Sequence, residues 1–325
     1  MRATMRFVLS ILLVTFPFFA LVLCGYIATR RSFLPQSSIP GLNTFVLYFA
    51  VPCMLYRFGA STPIGQLLNG SLIALYSVCA LLMVALTVAV TRNKRTGWND
   101  ASFSALVAAF PNTGFMGVPL LVALLGPSAA GPAIATIAVD MLLTSSLCIA
   151  LSRLDGADEH GAAKAVRLAL AGIFVNPLPW AIVLGGLSSA LDFALPKPFA
   201  VTIGLLADAA SPVALFTIGA MLARSQLNAS SRTPLGDYVP VTFIKLVVHP
   251  LLVGFLGLAA IAAGLPLDRF VLMVVVLVAA LPSASNVAIL AERFGADNGR
   301  IARVILLSTV LAFFSFSAFV AVLTP

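Results

Sequence analysis

Charge is what this sequence has least of. Of 325 residues, 19 are Lys or Arg and 11 are Asp or Glu, so 9% are charged against 61% hydrophobic. A soluble domain carries about 25% charged residues. A chain this poor in charge cannot cover itself for life in water, which excludes soluble enzymes and nucleic-acid binders despite a net charge of +8. Histidine occurs only at His160 and His249, so neither a metal pair nor a His-Glu-x-x-His motif is available to an intramembrane protease. No Gly-x-Ser-x-Gly accompanies His249 to make a serine hydrolase. The four cysteines, Cys24, Cys53, Cys79 and Cys148, lie inside apolar stretches at unrelated spacings. They read as small hydrophobes rather than metal ligands or disulfide partners. No ATP-binding motif is present, so no cofactor is expected and any driving force comes from gradients.

What the chain has in abundance is long apolar runs, with a mean hydropathy of +1.08. About 20 apolar residues span a bilayer core of roughly 30 Å. Ten such runs are predicted, over residues 7–28, 40–60, 69–91, 101–125, 131–152, 168–190, 199–224, 239–263, 269–292 and 301–323. Backbone in lipid must bond to itself, so each is read as helix. The first run is too long for a signal-peptide core, and Leu23 is bulky where a lipoprotein signal needs a small residue. Thirteen Lys and Arg fall in the odd-numbered loops, five on the other side, and Lys245 falls within a span. The positive-inside rule therefore puts both termini on the outer side of the inner membrane. The longest polar stretch, residues 153–167 with Asp155, Asp158, Glu159 and His160, reads as a solvated connector.

The two halves resemble each other. Ala50, Pro52, Leu55, Gly59 and Ala60 recur as Ala210, Pro212, Leu215, Gly219 and Ala220, at an offset that also carries Pro17 onto Pro177 and Gly25 onto Gly185. Ala108-Ala109-Phe110-Pro111 recurs as Ala279-Ala280-Leu281-Pro282. Residues 1–152 and 168–325 thus form two repeats of five spans. An odd number inverts the second copy, the build of secondary transporters with substrate near the midplane.

The fourth span contains Pro111-Asn112-Thr113-Gly114 and then Gly117 and Pro119; the ninth contains Pro282-Ser283-Ala284-Ser285-Asn286. Proline lacks an amide hydrogen, so Pro111 frees the carbonyl of Val107 and Pro282 that of Val278. Half-helix N-termini beginning there present amides and a positive dipole end suited to a carboxylate. The candidate substrate site is therefore Pro111, Asn112, Thr113, Gly114, Pro282, Ser283, Ser285 and Asn286. The competing reading is that the prolines only kink helices and the polar residues knit them together.

These same residues carry a resemblance. Pro111-Asn112-Thr113 with Met116-Gly117 and Pro119-Leu120-Leu121 is similar to the crossing-helix motif of plant PIN auxin carriers. Gly25-Tyr26, Phe33-Leu34-Pro35-Gln36, Gly41-Leu42-Asn43 and Phe49-Ala50-Val51-Pro52 resemble the first two helices of the same auxin efflux carrier family, with Asn176-Pro177 in the second repeat. The resemblance implies an all-α fold of ten helices in two inverted repeats, with the fourth and ninth crossing at their prolines. It implies a scaffold of helices 1, 2, 6 and 7 beside a moving bundle of helices 3–5 and 8–10, and it leaves room for a homodimer through the scaffold. It implies transport of small organic anions such as malonate or malate, with Pro111, Asn112 and Pro282 at the crossover. The chain lacks the large cytoplasmic loop of the plant carriers and has Asn286-Val287 in place of their second ninth-helix proline, so auxin is not the expected substrate. A sodium or proton antiporter of similar build is the alternative, although it normally has more acid near the break.

Asp140 lies mid-span, and Lys245 and His249 share a face of the eighth span. Ionisable groups at such depth are functional candidates for ion coupling or charge pairing. The alternatives are that Lys245 snorkels to the nearer surface and that Asp140 is a structural group. The predicted spans place Asp140 and Lys245 at different depths.

Overall fold

A computed structural model describes residues 2–93, 95–154, 177–227 and 233–324. Most of the connector, including Asp155, Asp158, Glu159 and His160, lies outside them, as do Lys94, Asn176 and Arg232. The helices are α1 (Arg2–Arg30), α2 (Gln36–Ser61), α3 (Gly70–Thr91), α4 (Trp98–Ala109), α5 (Thr113–Leu125), α6 (Pro127–Leu151), α7 (Pro177–Ala190), α8 (Lys197–Leu227), α9 (Leu235–Ala262), α10 (Arg269–Ala280), α11 (Asn286–Arg293) and α12 (Asn298–Leu323). Among the described residues no strand forms, only a single β-bridge between Pro111 and Ser283. Among the described residues, seven helices are long and apolar enough to cross a membrane. They are α1, α2, α3, α6, α8, α9 and α12. The expected fourth span is instead two helices, α4 and α5, and the ninth is α10 and α11, each interrupted at its proline. The sixth is described from Pro177 onward.

Start signals are local. The Asn69 side chain accepts from the Leu72 amide at 3.0 Å, and the Asp268 carboxylate accepts from Phe270 at 2.7 Å. Each satisfies an amide that the first helical turn leaves bare.

In lipid, helices associate by close packing, which small residues permit. α1 lies against α8 so closely that a Cβ on Gly25 would strike the Phe216 carbonyl, and one on Gly219 the Val22 carbonyl. α2 meets α7 likewise: a Cβ on Gly185 would sit 2.6 Å from the Tyr56 carbonyl oxygen and 3.1 Å from the Ala60 nitrogen, with Gly59 alongside. Tyr56 and Ser188 share a hydrogen bond of 2.9 Å across the same interface. The colliding atoms are backbone, so the helices themselves must separate to admit a methyl group. Gly219→Ala is expected to cost roughly 1–3 kcal/mol and to lower the melting temperature of detergent-solubilised protein. Gly204→Ala on the same helix meets nothing within 4 Å and should leave the melt unchanged.

Among the described residues, two arginines form ion pairs that tie elements together. Arg57 on α2 meets Asp208 on α8 at 2.7 Å, both well exposed. Arg300, 7% exposed, stands 3.8 Å from both Asp237 and Asp297 and ties the start of α12 to that of α9.

Candidate functional site

The breaks are built from backbone that proline cannot bond conventionally. α4 closes with the Phe110 amide on the Leu106 carbonyl at 2.9 Å. Pro111 then turns the chain out of the helix and against Ser283. The Asn112 amide donates to the Pro282 carbonyl at 2.8 Å, and the Ala284 amide donates to the Phe110 carbonyl at 3.0 Å. Each break thus satisfies the other, which lets unwound chain exist inside a helical membrane protein. A Cβ on Gly117 would strike a Leu281 methyl, so α5 starts tight against the second break.

Several other groups near the second break find partners. The Val278 carbonyl freed by Pro282 takes the Leu281 amide at 3.1 Å. The Ser283 amide donates to Ser308 Oγ of α12 at 3.2 Å, and the Ala279 carbonyl accepts from Lys245 Nζ at 2.9 Å. The Asn112 amide, expected to be open, is spent on Pro282, and that of Thr113 on the Pro111 carbonyl at 2.8 Å. Among the described residues, the amides of Gly114, Phe115, Ser285 and Asn286 take no backbone carbonyl. They are the open donors of α5 and α11.

Two side chains stand out here. Thr113 Oγ1 and Ser283 Oγ are buried with no hydrogen-bond partner among the described residues, one from each break, as are the hydroxyls of Thr29, Ser102, Ser146 and Ser315 elsewhere in the helices. An unsatisfied buried hydroxyl costs roughly 1–3 kcal/mol, and what distinguishes these two is their place at the paired breaks. Asn112 is 4% exposed and makes no capping bond with its side chain. Ser285 is also buried and does not cap α11 with its hydroxyl. Gly114 and Asn286 are half-buried, and Pro111 and Pro282 are buried.

The second group of candidates forms a separate buried cluster. Asp140 accepts from Tyr76 Oη of α3 at 3.1 Å and from Thr144 Oγ1 at 3.1 Å. Lys245 Nζ lies 3.2 Å from His249 Nδ1, and the Tyr76 and His249 rings stand 6.3 Å apart. All four residues, Tyr76, Asp140, Lys245 and His249, are fully buried, and His249 Nε2 has no partner. Lys245 does not snorkel. Nor are Asp140 and Lys245 separated by depth: Tyr76 and His249 stand between them in one cluster, although no direct ion pair forms. Counting residues from helix ends neglects helix tilt and widened turns. Both Asp140–Thr144 and Ile244–Val248 are such π-turns, as is Thr113–Gly117. Tyr76, Thr144 and Ser308 were not legible as site residues, because a lone Tyr, Thr or Ser in an apolar span looks like ordinary packing.

A multi-pass helical membrane protein with two mutually bonded breaks has the construction of a transporter. The family model described as membrane transport protein matches residues 10–320, and the chain belongs to that family, the auxin efflux carrier family. A protein of Rhizobium meliloti (strain 1021) named "Putative malonate transporter" is 30% identical over 303 residues, covering 91% of this chain and 90% of that one. "Uncharacterized transporter YfdV" of Escherichia coli (strain K12) is 27% identical over 290 residues, 86% of each chain. "Auxin efflux carrier component 4" of Arabidopsis thaliana is 31% identical over 120 residues, 36% of this chain and 19% of that one.

Proposed function

We propose that this protein is a secondary carrier of small organic anions, mono- or dicarboxylates of the size of malonate or malate, in the bacterial inner membrane. The observation that carries the reading is the pair of partnerless hydroxyls, Thr113 and Ser283, beside four open amides at two breaks bonded to each other. A carboxylate between them would accept from neutral donors, with no buried counter-charge to desolvate. The named function of the Rhizobium meliloti relative agrees with an anion of this class.

The same reading makes the chain ten spans in two inverted repeats of five. Gly25 packs on the Gly219 turn, and its repeat partner Gly185 packs on the Gly59 turn, the partner of Gly219. That reciprocal contact is what an internal pseudo-twofold produces. Helices 1, 2, 6 and 7 would then form the scaffold for an elevator movement of the rest, and a homodimer would form through that scaffold. A reporter fused after Pro325 should be active only on the outer side; activity in the cytoplasm overturns the inversion.

The test of function is uptake into proteoliposomes of labelled malonate, malate and lactate, with and without pH and sodium gradients. Accumulation of a carboxylate supports the carrier. Sodium or proton exchange with no carboxylate movement would favour the antiporter alternative.

A further inference from the structure

The far end of α3 carries an apolar groove that the transport reading does not use. Val84, Ala85, Val88 and Ala89 continue the face of Leu81 at three- and four-residue spacing and end at Arg92. The stripe is about 16 Å long at the helical rise. Leu147 and Leu151, one turn apart on α6, form the facing wall, and Trp98 closes the end of a groove of about 420 Å³. Alanine at 85 and 89, where larger side chains would fill the trough, keeps it open. Leu82, Leu86 and Val90 beside it are exposed, so this side of α3 faces outward.

At the closed end the Arg92 guanidinium lies over the Trp98 ring, 4.2 Å from its centroid. Stacking uses the face of the guanidinium and leaves its N–H edge free for phosphate oxygens. Among the described residues Arg92 has no acidic partner. The neighbouring arginines are engaged elsewhere, Arg153 over the Phe294 ring at 5.1 Å and Arg95 in a separate cavity with Asp237 and Arg300, so Arg92 is the charged residue that lines the groove. Tryptophan and arginine at a helix end mark the headgroup level of a bilayer.

We propose that this groove binds an acidic phospholipid, with an acyl chain along α3 and α6 and the phosphate at Arg92. An apolar trough with a cation at one end has the polarity of one such lipid. The lipid would hold the ends of α3, α4 and α6 together.

The chain has two tryptophans, so Trp180→Phe leaves Trp98 as the sole tryptophan, excited selectively above the tyrosine absorption. In phosphatidylcholine vesicles doped with brominated lipid, brominated phosphatidylglycerol should quench Trp98 at about fivefold lower mole fraction than brominated phosphatidylcholine, the preference expected for one arginine. Arg92→Gln should erase that difference. Ala85→Leu with Ala89→Leu should weaken quenching by both lipids at unchanged protein yield. Equal quenching by the two lipids without these changes means bulk lipid only and overturns the proposal. Trp98 shielded from both lipids, with copies cross-linked through Ala85→Cys, marks a second copy in the groove and overturns it equally.

Discussion

Thr113→Val and Ser283→Ala are each expected to weaken carboxylate binding by about ten- to a hundredfold without lowering the melting temperature. The two effects separate because these hydroxyls have no partner among the described residues. Valine at 113 keeps the branched shape and removes an oxygen that is 0% exposed and unsatisfied. Folding therefore loses no hydrogen bond, and stability holds or rises. A bound carboxylate loses a donor, and a hydrogen bond to a charged group is worth roughly 1.5–3 kcal/mol. Asn112→Ala should act in the same direction, since its side chain makes no capping bond. Ser308→Ala should behave differently. It strips the Ser283 amide of its acceptor at 3.2 Å, so the second break loosens and stability falls along with affinity. Calorimetry and thermal melts on one purified sample of each variant decide the matter. If Thr113→Val and Ser283→Ala bind malonate and malate normally, the breaks are not the substrate site.

What the sequence disclosed about this site was local. Proline at 111 and 282 removes specific amides, and together with the polar residues that follow it marks where α4 and α10 end, whereas Pro17, Pro212 and Pro240 lie inside continuing helices. The polar residues following each proline were legible for the same reason. The pairing of the breaks was not, because the bonds from Asn112 to Pro282 and from Ala284 to Phe110 join residues about 170 positions apart. That pairing also spends the Asn112 amide and moves the open donors on to Gly114, Phe115, Ser285 and Asn286. Seven of the expected spans appear as continuous helices because unbroken apolar length is a strong signal. The charged residues were visible as anomalies, but their partners were not. Tyr76 stands between Asp140, which its hydroxyl reaches, and His249, which its ring faces, an arrangement that depends on where α3 packs, and an aromatic among leucines gives no hint of that.

The buried cluster leads to the other large effect. Asp140→Asn is expected to abolish accumulation against a gradient while leaving exchange of substrate across the membrane intact. Both carboxylate oxygens of Asp140 accept from hydroxyls, Tyr76 at 3.1 Å and Thr144 at 3.1 Å. An asparagine there offers one acceptor where two are needed and cannot gain or lose a proton. Lys245 connects the cluster to the second break, since its Nζ holds the Ala279 carbonyl at 2.9 Å, just ahead of Pro282. A change of charge at Asp140 therefore bears on a group that fixes the end of α10. Asp140→Asn alone leaves the Lys245 ammonium in a fully buried cluster with no neighbouring carboxylate. Isolating a buried charge is strongly destabilising, by roughly 3–5 kcal/mol where a direct pair is broken; no direct pair exists here, so the loss should be smaller. Adding Lys245→Gln removes the excess charge and keeps a donor for the Ala279 carbonyl. The double variant should therefore recover yield and melting temperature while remaining unable to accumulate substrate. Lys245→Leu, which leaves that carbonyl bare, should be less stable than Lys245→Gln by roughly 1–3 kcal/mol. Uptake and counterflow measured on the same proteoliposomes separate coupling from transport. Accumulation by Asp140→Asn at the level of the unsubstituted protein would leave the cluster a structural role only, as a clamp on the end of α10.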